Sequence, residues 1–413
     1  MRSLAAVLAA ATAATVAAGV VVAAPAQAAT VRYAAPAGSG TACTAAAPCA
    51  VTQAVGAAAS GDEVVLTPGS YNAMGPISSS ASNLNVHGVA GQPRPVLNSA
   101  ADSAVTLKGS GVRLSDVTIQ HQGSLWALNV LAANVRVEHV EVRSSGLISC
   151  GIAFSGLLRD SVCVNTAAGG VALDDSWSAD TGTLTVRNVT AVATGAGSYG
   201  IRAEAQDANT NLSLSGRSVI ASGVAADVRA AANGDNRFAL VTLATSNYRT
   251  TSTSGLAGIT SSTANGNQRA LPVFADTVTY HQATTSPTVN AGSRDASTGT
   301  TDIDGQPRVA LRAIDIGADE LVPDTAAPAA TFGRTPGRRI AKRKATFTFA
   351  ASEPSTFWCQ LDQLRAVPCA SPYVVQPKRH GKHTLSVIAV DAAGNVSPPA
   401  TTTWKWKPKK RKR

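Results

Sequence analysis

Charge is scarce in this chain of 413 residues: Asp, Glu, Lys and Arg together make up 15%, and aromatic residues only 4%. Low charge beside 45% hydrophobic residues excludes a chain held open by its own repulsion. The shortage of rings excludes a core built on large aromatics. A chain of this length holds more than one core, and here the filling must be many thin layers of Ala, Val and Leu. Beyond the N-terminus no apolar run is long enough to span a bilayer. No CxxC or paired histidine accompanies the cysteines, which argues against a zinc site. Nor does the chain carry a GxSxG, HExxH, Walker-type or GxGxxG phrase in a strand–helix context, so the signatures of common hydrolases, metalloproteases and nucleotide binders are missing.

What is present begins with an export signal. Met1-Arg2-Ser3 is followed by an uncharged run, Leu4 to Ala24, and then by Ala26-Gln27-Ala28, with small residues where a signal peptidase needs them. Cleavage between Ala28 and Ala29 is expected; a membrane anchor is the rival, weakened by the alanine content of the run. Six cysteines fall in three close pairs, Cys43 with Cys49, Cys150 with Cys163, and Cys359 with Cys369. Local disulfides in an oxidising compartment are the expectation. For Cys150 and Cys163 the alternative is two buried thiols acting as small hydrophobes.

Between Ala104 and Ala221 one phrase returns. A small residue opens a short apolar strand at Ala104, Ala127, Gly151, Gly170 and Gly200, with starts 23, 24, 19 and 30 residues apart. A longer alternating strand follows, as in Leu114-Ser115-Asp116-Val117-Thr118-Ile119 and Val137-Glu138-His139-Val140-Glu141-Val142. Period-two alternation with β-branched residues means strand. Each unit has too little apolar surface to fold alone, so units must stack, roughly 4.8 Å apart, into a parallel β-helix. A leucine-rich horseshoe lacks its helix-length segments here, and an antiparallel sandwich lacks its hairpin dipeptides. Asp116, His139, Asp160 and Asn188 recur at one place in the coil and suit a stacked or turn-forming polar row. The stretch Ala50 to Ala59, with Val51 and Val55 on one side, predicts a short helix capping the open end, followed by a strand over Asp62–Leu66.

The opening Tyr33-Ala34-Ala35-Pro36-Ala37-Gly38-Ser39-Gly40, the Cys43–Cys49 loop, the cap helix and the turn Pro68-Gly69-Ser70-Tyr71 resemble secreted pectin-lyase-like proteins with a right-handed parallel β-helix. Ser286-Pro287-Thr288-Val289-Asn290-Ala291-Gly292, Thr301-Asp302-Ile303-Asp304-Gly305-Gln306-Pro307-Arg308 and Asp315-Ile316-Gly317-Ala318-Asp319-Glu320 resemble the closing segment of the choice-of-anchor Q subgroup. An aromatic is more usual at position 319. The resemblance covers residues 30–320 and implies a fold rather than an activity, since lyases, hydrolases and adhesins share it.

After a stiff linker at 323–330, alternating strands and turns over 331–404 predict a small β-sandwich. Its phrases Cys359-Gln360-Leu361-Asp362, Cys369-Ala370-Ser371-Pro372-Tyr373 and Asp391-Ala392-Ala393-Gly394-Asn395 resemble bacterial immunoglobulin-like repeats, which implies a spacer or adhesive role. The expected organisation is signal peptide 1–28, β-helix 29–322, linker 323–330, immunoglobulin-like domain 331–404 and basic tail 405–413. The net charge of +10 hides an uneven division, because from residue 331 onward 17 Lys and Arg face 3 Asp and Glu. The tail, with Trp404 and Trp406 beside it, suggests a grip on a polyanion; a solvated end is the plainer reading.

β-Helix enzymes work on the outer face of a stacked sheet. Here Thr106, Asn129, Ala153, Ala172 and Arg202 are expected to face outward, a mostly small and neutral row. The nearest approach to a catalytic site is Asp174, Asp175, Arg202 and Glu204, with Trp177 or Trp126 to stack on sugar. Paired carboxylates could serve as acid and base on a glycoside. Alternatively they could hold Ca²⁺ against a uronate while Arg202 takes the proton, the one case in which a cofactor is implied. Both aspartates can serve one site only from a loop, because neighbours on a strand point to opposite faces. His87, His121 and His139 are dispersed, and no metal role is expected of them. Two functions stand: a secreted or cell-surface rod that binds polysaccharide or an anionic envelope polymer, or a polysaccharide lyase or hydrolase. No nucleic-acid partner and no membrane span after signal removal are expected.

Overall fold

The computed structural model describes residues 29–176, 182–260 and 265–408. The chain is all-β, about 2% helical and 47% strand, and its larger part is a parallel β-solenoid of about seven turns. Two sheets wind up together. A 13-stranded sheet runs from Val31–Ala34 to Ala257–Thr260, and an 8-stranded sheet of shorter strands runs from Ile77–Ser79 to Thr251–Gly255. No helix among the described residues is long and apolar enough to cross a membrane.

Stacking works because the apolar positions of each coil fall in register with those above and below. In the short-strand sheet Val105, Leu128, Cys150, Leu173, Ile201 and Val228 pair in succession. In the long-strand sheet Val64, Val86, Leu114, Val137, Leu158 and Val186 do the same. All twelve are buried, each contributing roughly 1.5–3 kcal/mol. The bridge Cys150–Cys163 joins the two sheets across the interior, and Cys43–Cys49 and Cys359–Cys369 complete three local disulfides. The cap is the helix Val51–Gly56, shorter than its sequence pattern, whose buried Val51 and Val55 lie over Leu66, Ile77 and Val86. A strand precedes it: Val31–Ala34 pairs with Glu63–Leu66.

The recurring polar row is the bend of every long strand. Asp116, His139, Asp160, Asn188, Ser218 and Thr245 all have φ between 48° and 55°, the left-handed region that Asn and Asp tolerate best. Against this row lies the closing segment, held by turns and isolated bridges. Arg308 Nη2 donates to Asp160 Oδ1 at 2.6 Å, Asn188 Nδ2 donates to the Asp315 carbonyl at 3.3 Å, and Ser218 Oγ donates to the Ser293 carbonyl at 3.1 Å. At Gly317, φ is +114° and a Cβ would meet Ile220 Cδ1 at 2.8 Å, so only glycine lets the segment lie this close. The segment is thus a strap along the bent corner.

The C-terminal module is a separate β-structure with its own core of Phe347, Phe349, Cys359, Val375, Leu385, Val387 and Trp404. A five-stranded sheet holds Arg339–Ile340, Ala400–Trp406, Gly381–Asp391, Ser355–Leu361 and Val367–Cys369, in that order. The alternating run Ala345–Ala351 divides at Thr348, so that Ala345–Phe347 pairs with Tyr373–Val375 and Phe349–Ala351 with Ala330–Phe332. The final strand runs on to Trp406, beyond the expected boundary at 404. Trp404 and Trp406 are 2% and 8% exposed, and their place in the core explains why they alternate with Lys405. Neither is available to a ligand from a tail. The signal region 1–28 and residues 409–413 lie outside the described part.

Candidate functional site

The outer face of the short-strand sheet gathers most of the expected site residues. Cross-strand pairing aligns Thr106, Asn129, Gly151, Asp174, Arg202 and Arg229. Gly151 and Asp174 stand in register with this row, two residues from the expected Ala153 and Ala172. Along a regular strand an offset of two keeps the face, and Ala153, opposite Leu131, lies on the outer side as expected. The row is corrected at Ala172 alone, which packs in the core. The row is neutral in its first coils and charged in its later ones.

Asp174 Oδ1 accepts from Arg202 Nε at 2.7 Å and from Ser176 Oγ at 2.9 Å, and Arg202 Nε stands 3.8 Å from Glu204 Oε2. Burial works against the charge of Arg202, but Asp174, joined by Glu204 and Tyr199, more than offsets it and raises its pKa. Asp174, Arg202 and Glu204 are thus one ion-paired group on one face, placed there by spacing two along the strands.

Asp175 is not part of it. The segment Val171–Ser176 is a strand rather than a loop, so Asp175 turns inward. It pairs with Ala203, which pairs with Ala230, and the preceding coils fill the same column with Val130 and Ile152. Its residue exposure is 1%, and Oδ1 has no hydrogen-bond partner. Burial first, and the charge of Asp174 second, hold its pKa well above the usual carboxylate range.

Of the two aromatics, Trp126 stands on the same outer face: a Cβ added at Gly151 would lie 3.5 Å from Trp126 Cδ1. Trp177 lies outside the described residues. Two neighbours went unrecognised in the sequence. Arg229 is the partner of Arg202 one coil on, and its guanidinium lies 5.5 Å from the centre of the Tyr199 ring. The phrase Ala226-Asp227-Val228-Arg229 repeats the small–apolar opening and would have revealed it.

The histidines are used locally. His87 Nε2 is 2.8 Å from Glu63, His121 lies between Ser144 and the Ala101 carbonyl at 2.9 Å from each, and His139 is 3.2 Å from Thr301 on the strap. Two other clusters could offer ligand atoms to a metal, His281 with Asp304 and Asp319, and Asp324 with Glu353 and Asp391, each set within 4.8 Å. In the first, Asp304 is already neutralised by His281 at 2.7 Å and Arg94 at 2.8 Å. No protein-family model matches the chain, and no curated protein matches it.

Proposed function

We propose that this is a secreted or cell-surface protein whose pectin-lyase-like β-helix is a rigid rod, binding polysaccharide on the outer face of its short-strand sheet. The C-terminal module, read as immunoglobulin-like, serves as a spacer. The observation that carries this reading is the parting of the two aspartates. Hydrolysis of a glycoside asks for two carboxylates free to face one bond, whereas Asp175 lies in the core and the two that share the outer face, Asp174 and Glu204, both flank the Arg202 guanidinium at 2.7 and 3.8 Å. Elimination asks for a base that can lose its proton, and Arg202 is held firmly charged. What the face does offer is binding chemistry: Trp126 and Tyr199 as apolar platforms, with Arg202 and Arg229 able to meet acidic or hydroxyl groups. The leader sequence, with Arg2 ahead of its uncharged run, and the three disulfides support an extracellular place.

The test is a panel of acidic and neutral polysaccharides, scored for binding and for turnover. Binding without turnover is expected, with Trp126→Ala and Arg229→Ala each weakening it about tenfold, roughly 1.4 kcal/mol. Turnover that disappears in Asp174→Asn would replace this reading by the lyase or hydrolase alternative.

A further inference from the structure

We infer that the C-terminal module carries a second, independent binding surface: a cationic ladder of Arg339, Lys405 and Lys382 that docks a linear acidic polysaccharide. The three residues lie directly opposite one another on adjacent strands, Arg339 against Lys405 and Lys405 against Lys382. All three are exposed, and their inward neighbours Trp404, Trp406 and His383 are buried, so the three side chains share the outer face.

Like charges directly opposite across strands repel and weaken a sheet. A sheet that serves only as a spacer gains nothing from three of them in one row. No carboxylate among the described residues forms an ion pair with any of the three. The nearby Asp362 is already engaged, accepting from the Thr384 amide at 2.8 Å and meeting His383 Nδ1 at 2.9 Å. Beside the ladder, Lys378, Arg379 and His380 line an open groove of about 1000 Å³ together with Lys382, and Arg343 is tied there through its bond to the Pro377 carbonyl at 2.8 Å.

Strand spacing places the ladder's charges roughly 4.8 Å apart in a line, which suits a polymer carrying an acidic group on each successive unit. The rings nearest the row argue against single-stranded nucleic acid, which is gripped by exposed rings on which bases stack; the exposed Trp358 of this sheet pairs with Ile388, six residues along the strand from Lys382. Here Trp404 and Trp406 are in the core, with the His380 ring 4.4 Å from that of Trp406. What remains exposed in the row is charge alone.

The experiment uses the full chain and immobilised polygalacturonate, with dextran as the neutral control. Arms with anionic phospholipid vesicles and single-stranded DNA run alongside. Wild-type protein should bind polygalacturonate, lose affinity steeply as salt rises, and ignore dextran at this surface. The triple variant Arg339→Gln, Lys382→Gln, Lys405→Gln should bind at least tenfold more weakly while melting at the same or a higher temperature, since only repulsion is removed. Every protein tested retains residues 409–413, so a loss in the triple variant belongs to the ladder. The triple variant should cause the same loss in a Trp126→Ala, Arg229→Ala background, which separates this surface from the proposed solenoid site. Unchanged binding by a folded triple variant overturns the inference, as does failure of the wild type to bind polygalacturonate. Vesicles or DNA held more tightly than polygalacturonate, and released by the same substitutions, would overturn it in favour of a lipid or nucleic-acid partner.

Discussion

Three buried ionisable side chains, Asp160, Arg308 and Asp175, show what single residues do here, and only the first had its place visible in the sequence. Asp160 belonged to a recurring row, and its place at the bend followed from that recurrence. Its partner Arg308, 148 positions away, could not be paired with it by any local pattern. The pair is buried on both sides, at 1% and 0% side-chain exposure. Removing the cation alone takes away the carboxylate's one short ion pair and leaves it only Arg159 at 3.6 Å and His139 at 3.9 Å. Arg308→Ala should therefore cost about 3–5 kcal/mol, measured by urea unfolding, with Asp160→Asn in the same background recovering part of the loss. Asp175 was visible as chemistry but not as position, because strand and loop differ there by the face each neighbour meets. Its raised pKa sets the sign of its effect. The folded state holds the proton more tightly than the unfolded state, so its contribution is most favourable below about pH 4 and is lost as pH rises toward the folded value. Asp175→Asn should match the wild type at pH 4 and exceed it at pH 8 by at least about 1 kcal/mol. Equal stability of the two proteins at both pH values would mean that the side chain finds compensation when charged.

At the scale of elements, the solenoid strands were legible because their apolar positions repeat, and the strap was not, because it has no period. Residues 286–320 contain no regular strand, and they meet successive coils through single polar bonds and through Ile303 and Ala318, buried with Val162, Val164 and Val192. The strap gathers groups whose titration works in one direction. Burial pushes Asp319 up to about 6 and Glu320 to about 7, and the bond to Asp304, opposed by burial, raises His281 to about 9. For the two carboxylates the stabilising contribution is whole below their unfolded values and is lost as pH rises through 6 and 7. For the histidine it is whole below about 6.5 and is lost as pH rises through 9. Asp304 and Asp295, whose pKa values are lowered, act oppositely and only on the acid side, below about pH 4. Hydrogen exchange in residues 281–320, corrected for the intrinsic rate, should accelerate between pH 5 and pH 9 relative to the solenoid core. Asp319→Asn should flatten the lower part of that rise and His281→Gln the upper part. The bridge Cys150–Cys163 works differently, by tying the two sheets of one coil and restricting the unfolded chain. Replacing both cysteines by serine should cost roughly 2–4 kcal/mol in denaturant, with the solenoid's strand content retained.

For the whole molecule, composition already implied two cores, and the structure supplies them: one of stacked aliphatics with its few aromatics at the ends, the other dense in rings. Trp404 meets Phe347 at 4.9 Å between ring centres, and Phe349 meets Phe357 at 4.9 Å, whereas the central coils of the solenoid are filled by Val, Leu, Ile and Ala. The division of charge follows the same line, since the ring-based module is small and carries its lysines and arginines on an outer surface that the aliphatic coils do not share. What the sequence hid at this scale was the last strand, because a run of basic residues beginning at Lys405 masks the alternation that puts Trp406 inside. Residues 322–327 between the modules are exposed and offer a protease an unpaired backbone. Two separate cores joined by such a connection should unfold as two transitions. Calorimetry should resolve them, and limited proteolysis should cut first between residues 322 and 327 and release a C-terminal fragment that keeps its own transition. Lowering the second transition by Cys359→Ser, Cys369→Ser without moving the first, and the first by Cys150→Ser, Cys163→Ser without moving the second, would assign each to its module. A single transition that shifts as a whole with either change would mean that the modules fold as one unit, and the spacer role proposed for the C-terminal module would fall with it.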